Sequence, residues 1–190
     1  MFDSPVTAHE HGRRERIIEA TLDSIVSSGV AGTTMRMVAE AAQVSLGSIT
    51  YYFADKDDLF LAAFLDYTDR SVKEFDSFYD DAVDLASART ATARMLSTSA
   101  GSRRSIILGT ELYSMSLRRP RFRMVTAQWT SRCREVMRRH FDDDTTFILD
   151  ALYEGILLHR TMRLGEYTDE RIALAVENIT PPKSYIGGGS

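Results

Sequence analysis

Between Thr34 and Lys56 the sequence sets hydroxyls, aromatic rings and cations close together: Thr34, Arg36, Ser45, Ser48, Thr50, Tyr51, Tyr52 and Lys56. None stands beside an acid or base that would make it a nucleophile. As a set they are donors suited to phosphates and to base edges, the two kinds of group a DNA-binding surface must meet. Gly47 lies among them and would let backbone approach a partner closely. Catalysis has no comparable constellation: GxSxG, P-loop, GxGxxG and HExxH patterns are absent, and the histidines, His9, His11, His140 and His159, are scattered. His9 and His11 flank Glu10 on a polar terminus, a poor metal pattern. Cys133 shares an apolar helix face with Trp129 and reads as a small buried hydrophobe. Asp80-Asp81 and Asp142 to Asp144 read as turn or cap residues. The expectation is a non-enzyme with no cofactor and no metal.

The elements that must position these residues are helical. Ile17, Ile18, Leu22, Ile25 and Val26 recur at three and four over Arg13 to Ser28, after a polar and frayed Met1 to His11, and Gly29 supplies a stop. Arg13, Arg14 and Arg16 sit on the first turn, where cations oppose the helix dipole and suggest an anionic partner. Thr33 or Thr34 caps a second helix that carries Met35, Val38, Ala39 and Ala42 inward. Gln43-Val44 breaks it, and Ser45 caps a short third helix, Leu46 to Phe53. Its Gly, Ser, Thr and Ile each give up a few tenths to ~1 kcal/mol of helix propensity against Ala. Such a composition suits contact better than stability. Asp55 caps a long helix from Leu59 onward, with Asp57 and Asp58 at its positive end.

Further helices are predicted over Asp84–Ala100, Ser102–Arg119 and Arg121–Phe141, with Pro120 ending one and starting the next. Thr145 to Leu164 is apolar nearly all round and must be covered on both sides. One side can face the domain core and the other a partner subunit, with Asp169 to Ile179 sharing that surface. The dimer interface is placed on Leu149, Leu152, Ile156, Leu157, Ile172, Val176 and Ile179.

A chain of 190 residues, 44 % hydrophobic and 26 % charged, can bury a substantial core. One cysteine excludes an internal disulfide and suits a reducing compartment. The N-terminus is not a signal peptide, and no run nears the ~18 apolar residues of a spanning helix. A cytoplasmic protein is expected. The net charge of −4 argues against a nucleic-acid partner, but charge is unevenly placed. Asp55 to Asp84 holds ten acidic residues against three basic ones, and Gly101 to His140 holds ten arginines against two glutamates. The two segments either face each other or form solvated faces. A phosphate-binding patch needs only a few donors in place, whatever the net charge.

The stretch TTMRMVAEAAQVSLGSITYYFADKDDL resembles the DNA-binding signature of the TetR/AcrR family of transcriptional repressors. The pattern is a Thr, a bracing helix, A-x-x-A-x-V-S, a Gly, then Y-x-Y-F-x-x-K-x-x-L. ELYSMSLRRP and ALYEGILLHR are also similar to the ligand domains of one subgroup. One departure is Thr50, where the family usually has Tyr. The resemblance implies an all-α protein with an N-terminal three-helix helix-turn-helix domain, joined by a long helix to a helical ligand-binding and dimerisation domain. Its implied partners are double-stranded DNA with a palindromic operator, a small-molecule effector, and a second copy of the chain. The effector would release the operator. The domains are expected at 1–54 and 55–180, with a flexible tail at 181–190.

Arg13, Thr34, Arg36, Ser45, Leu46, Gly47, Ser48, Thr50, Tyr51, Tyr52 and Lys56 are the expected DNA-binding residues. Phe64, Tyr67, Met95, Leu112, Tyr113, Met115, Trp129 and Tyr153 are the expected ligand pocket, although each is also a good core residue. The alternative is a small-molecule-binding or protein-interaction helical protein without operator-specific DNA binding.

Overall fold

The computed structural model describes residues 5–99 and 102–187, with backbone alone for 5–11. Within them the chain is helical: α1 Pro5–Gly32, α2 Met35–Ala41, α3 Leu46–Tyr52, α4 Lys56–Ser77, α5 Leu85–Ser99, α6 Arg103–Ser116, α7 Pro120–Arg138, α8 Asp143–Thr161 and α9 Asp169–Ile179, then a 3-10 turn at Pro182–Ser184. The expected all-α class holds. Two expectations about the N-terminal helix change. Its backbone is helical from Pro5, not from Arg13, and at Gly29 it breaks rather than stops. The Gly29 φ of 69 and ψ of 168 leave the helical region, and a short further turn reaches Gly32. His9 and His11 have side chains outside the described residues.

The chain forms two compact units, one of residues 1–68 and 107–125, the other of 69–106 and 126–190. In the first, α2 packs on α1 and α3. Ile17, Leu22 and Ile25 of α1, Val38 of α2, Ile49 of α3, Leu59, Phe60 and Phe64 of α4, Leu108 and Leu112 of α6 and Phe122 of α7 form its core. Phe64 and Phe122 meet edge to face with centroids 6.1 Å apart. Each large apolar side chain so buried contributes about 1.5–3 kcal/mol.

In the second unit α5 packs on α8 and α9, and α8 on α9. Phe75, Tyr79, Met95, Leu96, Val136, Met137, Phe141, Leu149, Ile172 and Val176 are buried there. The Arg89 guanidinium ties α5 to the end of α9, donating to the Thr180 hydroxyl at 2.9 Å and to the Thr180 carbonyl. Residues 181–187, read from the sequence as the start of a tail, are pinned to the turn after α7. Asp142 N–H donates to the Ser184 carbonyl and Ile186 N–H to the His140 carbonyl, each at 2.9 Å.

The opposed charge segments face each other. In the first unit Arg119 pairs with Asp57 and Arg121 with Asp58; in the second Arg132 pairs with Asp69 and Arg139 with Asp76. The last three pairs share one sequence separation of 63 residues. The spacing of Asp58, Asp69 and Asp76 along α4 is thus repeated by Arg121 and Arg132 on α7 and by Arg139 just past its end. These pairs are partly exposed, so each contributes under about 1 kcal/mol. Arg134 and Asp150 form a more buried pair, with contacts of 3.0 and 2.7 Å.

The apolar face of α8 and α9 is not where the sequence reading put it. Leu149, Ile156, Leu157, Ile172 and Val176 are at most 7 % exposed in the single chain, so they fill its own core rather than a partner-facing surface. Leu152 and Ile179 are half-buried. The large apolar side chains left exposed on these two helices are Phe147 at 62 %, Ile148 at 47 % and Leu174 at 57 %. The physical reason is register. A helix apolar nearly all round offers no polar stripe to tell its inner from its outer side.

Candidate nucleic-acid interface

Three caps build the site. Thr34 Oγ1 accepts from Met37 N–H at 3.2 Å and starts α2, leaving Thr34 and Arg36 exposed. The end of α2 is a Schellman turn: Gln43 N–H donates to the Glu40 carbonyl at 3.1 Å and Val44 N–H to the Ala39 carbonyl at 3.0 Å. Gln43 takes the left-handed conformation this turn requires, with φ 54. The chain then reverses into Ser45, whose hydroxyl accepts from Ser48 N–H at 3.1 Å and also meets the Ser48 hydroxyl at 2.9 Å. After α3, Asp58 N–H donates to Asp55 Oδ1 at 2.8 Å while Asp58 Oδ2 accepts from Ala54 N–H at 3.2 Å, a reciprocal box that starts α4.

What holds α3 is Ile49, fully buried, with Phe53 at its end 2 % exposed. The Arg14 guanidinium lies over the Phe53 ring at 5.5 Å, a contact from the Arg13-Arg14-Arg16 group that the sequence pattern does not specify. Ser45, Leu46, Gly47, Thr50 and Tyr51 are exposed, and Ser48 and Tyr52 are half-buried. The sequence leaves open which tyrosine packs inward. Tyr51 is 73 % exposed, and Tyr52 meets Phe53 with ring centroids 6.3 Å apart. A Cβ at Gly47 would meet only Ser45 Oγ, at 3.7 Å, so the backbone there is open to a partner. The Thr50 hydroxyl donates to the Gly47 carbonyl at 3.1 Å. Arg13 is exposed on α1, and Lys56, half-buried on the first turn of α4, holds its ammonium 5.1 Å from the Phe60 ring centre. Every expected DNA-binding residue lies in the first unit.

The expected ligand-pocket residues divide between the units. Phe64, Tyr67, Leu112, Tyr113 and Met115 belong to the first, Met95, Trp129 and Tyr153 to the second. All are buried except Tyr113 and Tyr153, which are half-buried. Tyr153 meets Phe75 edge to face at 5.9 Å, and burial pushes its phenol above the ordinary range. Burial, with Asp150 and Glu154 nearby, pushes the Cys133 thiol up to about 12, which leaves it an inert hydrophobe at neutral pH. A cavity of about 350 Å³ on the second unit is lined by Leu152, Ile156, Tyr167, Arg171, Ile172 and Ala175, none of them an expected pocket residue. Among the described residues no cluster of three His, Cys, Asp or Glu could hold a metal, and no helix is long and apolar enough to cross a membrane.

Residues 17–63, which span this helix-turn-helix, match the model of the bacterial regulatory proteins of the tetR family. Over 47 residues the chain is 49 % identical to the HTH-type transcriptional regulator BetI of Burkholderia thailandensis, covering 25 % of this chain and 24 % of that regulator. Likeness to solved structures runs much further. A candidate transcriptional regulator from Streptomyces coelicolor A3(2) is 38 % identical with a TM-score of 0.82, over 88 % of this chain and 98 % of that one. A TetR-family member from Streptomyces coelicolor A3 is 32 % identical with a TM-score of 0.78, over 89 % and 98 %. The multidrug binding protein EbrR, complexed with ethidium, is 32 % identical with a TM-score of 0.72, over 89 % and 99 %. A capped, outward-facing third helix inside a tetR-family match, on a chain similar to such regulators over nearly their whole length, leads to one conclusion: this protein belongs to the TetR family of bacterial transcriptional regulators and carries its DNA-binding helix-turn-helix.

Proposed function

We propose that the protein is a cytoplasmic homodimeric repressor that holds a palindromic operator and releases it when a small organic molecule binds. The observation that carries this reading is α3: a seven-residue helix anchored by the buried Ile49 that turns Leu46, Gly47, Thr50 and Tyr51 outward. In the DNA complex α3 enters the major groove and α2 braces it. Thr34, Arg36, Arg13, Tyr51, Tyr52 and Lys56 take phosphates, while Ser45, Leu46, Gly47, Ser48 and Thr50 face the bases. The division into a DNA-binding domain over 1–54 and an effector and dimer domain over 55–180 belongs to this proposal.

Dimerisation is proposed through the outer faces of α8 and α9, where Phe147, Ile148 and Leu174 are exposed and Leu152 and Ile179 half-buried. The effector is proposed to be a flat aromatic molecule, a class supported by the ethidium and proflavin complexes of the similar EbrR. Phe64, Tyr67, Met95, Leu112, Tyr113, Met115, Trp129 and Tyr153 are the positions proposed to respond to it. Binding would shift α4 and change the separation of the two reading heads from the ~34–36 Å of one duplex turn. A complete switch requires about 5.5 kcal/mol of differential affinity between the two states.

The test is fluorescence anisotropy with duplexes spanning the DNA that flanks the coding region, over a salt series, with and without ethidium. Selective binding that ethidium weakens is the expected outcome, at ethidium concentrations that leave an unrelated DNA-binding protein bound to the same duplex, which separates binding to the protein from intercalation into the DNA. Lys56→Ala should weaken every duplex alike and reduce the log–log salt slope by about one unit, as loss of one phosphate contact does. An unchanged slope would remove Lys56 from the phosphate set. The competing reading, a small-molecule-binding protein without operator recognition, draws on the net charge of −4. It predicts ethidium binding with no selective duplex.

A further inference from the structure

The chemistry displayed by α3 is unusual for a helix that reads bases. Its sequence, LGSITYY, contains no arginine, lysine, asparagine, glutamine, aspartate or glutamate. Those are the side chains that pair with base edges through directed hydrogen bonds. The serine and threonine hydroxyls have partners within the motif, and the two tyrosine hydroxyls are the ones assigned above to phosphates. Ser45 Oγ accepts from Ser48 N–H and meets Ser48 Oγ, both contacts lying within the cap. The Thr50 hydroxyl donates to the Gly47 carbonyl at 3.1 Å, which spends its one proton on its own helix.

That bond also sets the orientation of the side chain. With Oγ1 held back against the preceding turn, the other branch of the threonine β-carbon, its methyl, is the group left to face a partner. Thr50 is exposed, and Leu46 lies one turn earlier on the same side, 40 % exposed. Gly47 adds no side chain beside them. The result is a strip of aliphatic groups on the outward side of the helix.

We infer that Leu46 and Thr50 read the C5-methyl groups of thymines, so that sequence discrimination by α3 rests on apolar contact more than on donor and acceptor matching. The inference rests on the assignment of α3 as the groove-reading helix and names the groups it recognises there. Thymine alone among the four bases carries a methyl in the major groove, and deoxyuridine removes it while keeping the same hydrogen-bonding edge. Thr50→Ser is the matching change on the protein: it keeps the hydroxyl and its bond to Gly47 and removes only the methyl.

The experiment uses the full-length dimer. Duplexes are selected from a random-sequence library, and the preferred one is resynthesised with deoxyuridine at each thymine in turn. At one or more symmetry-related thymines, deoxyuridine should weaken binding about fourfold per site, the size expected for one methyl left unburied. Thr50→Ser should lose about the same factor on the thymine duplex and nothing further on the deoxyuridine duplex. Leu46→Ala should behave likewise at a neighbouring thymine. Affinity within twofold at every deoxyuridine position overturns the inference, as does a Thr50→Ser loss that is equal on both duplexes. If the library yields no preferred duplex, the groove-reading assignment itself fails and takes this inference with it.

Discussion

His140 shows how one side chain can make this fold sensitive to pH. Its ring is 8 % exposed, stacks on Tyr79 at 5.1 Å between centroids, and leaves Nδ1 buried without a hydrogen-bond partner. Burial is the larger cause, and the neighbouring Arg139 the smaller, of a pKa held below the ordinary histidine value. Tyr79, whose hydroxyl bonds Thr92 at 2.8 Å, is pushed up to about 12 by burial and stays neutral beside it. The unfolded chain titrates this histidine near pH ~6.5 and the folded chain lower, so the unfolded state binds more protons between the two values. Stability is therefore full above about pH 6.5 and falls as pH drops through that window, by at most about 1.4 kcal/mol per pH unit. Urea midpoints measured from pH 7.5 to 5.5 should decline for the native protein and stay level for His140→Phe. Equal slopes would show that His140 is not the responsible group.

At the scale of elements, the reading motif is held by its ends. The seven residues of α3 are poor helix formers, yet the Ser45 cap and the burial of Ile49 are enough to hold them. The end of α1 depends on a backbone state nearly reserved for glycine. Gly29 combines φ 69 with ψ 168, and a Cβ there would lie 2.8 Å from Glu111 Oε1 on α6. Its carbonyl also accepts the Thr33 hydroxyl at 2.8 Å, just before α2 begins. Gly29→Ala should cost about 1–3 kcal/mol of stability, chiefly from the strained φ, since the carboxylate can move aside. Thermal or urea unfolding reads this directly, and a loss below about 0.5 kcal/mol would mean that the kink is easily rebuilt.

For the molecule as a whole, the test concerns which side of α8 and α9 meets a partner. Phe147 and Leu174 are 62 % and 57 % exposed, so Phe147→Asp or Leu174→Asp should leave helix content unchanged. Either should weaken the proposed dimer at least 100-fold by sedimentation, because it buries an unpaired charge in the interface. Val176, fully buried in the single chain, makes the contrast: Val176→Asp should unfold the second unit rather than separate intact subunits. A Phe147→Asp protein that stays dimeric at micromolar concentration would place the interface elsewhere. The salt links Arg119–Asp57, Arg121–Asp58, Arg132–Asp69 and Arg139–Asp76 bear on the charge question at this scale. Much of the arginine-rich segment is matched inside the chain, which leaves the proposed phosphate contacts at Arg13, Arg36 and Lys56 outside these pairs.

By itself the sequence determined the helical class, the caps at Ser45 and Asp55, and the family signature around α3, while it left the α2 cap open between Thr33 and Thr34 and the α8 cap open among Asp142 to Asp144. These depend on near neighbours, through hydrogen bonds three or four residues apart and apolar residues one turn apart, and both are written in local order. Only the tertiary structure decided which tyrosine of the Tyr51-Tyr52 pair faces outward, because both lie at the end of a short helix whose partner face the sequence does not name. It alone decided which side of α8 stays exposed in the single chain, with Phe147 and Ile148 outward and Leu149, Ile156 and Leu157 buried, because an all-round apolar composition hides the register. It alone pinned residues 181–187 to the turn after α7, through bonds whose partners are some forty residues away.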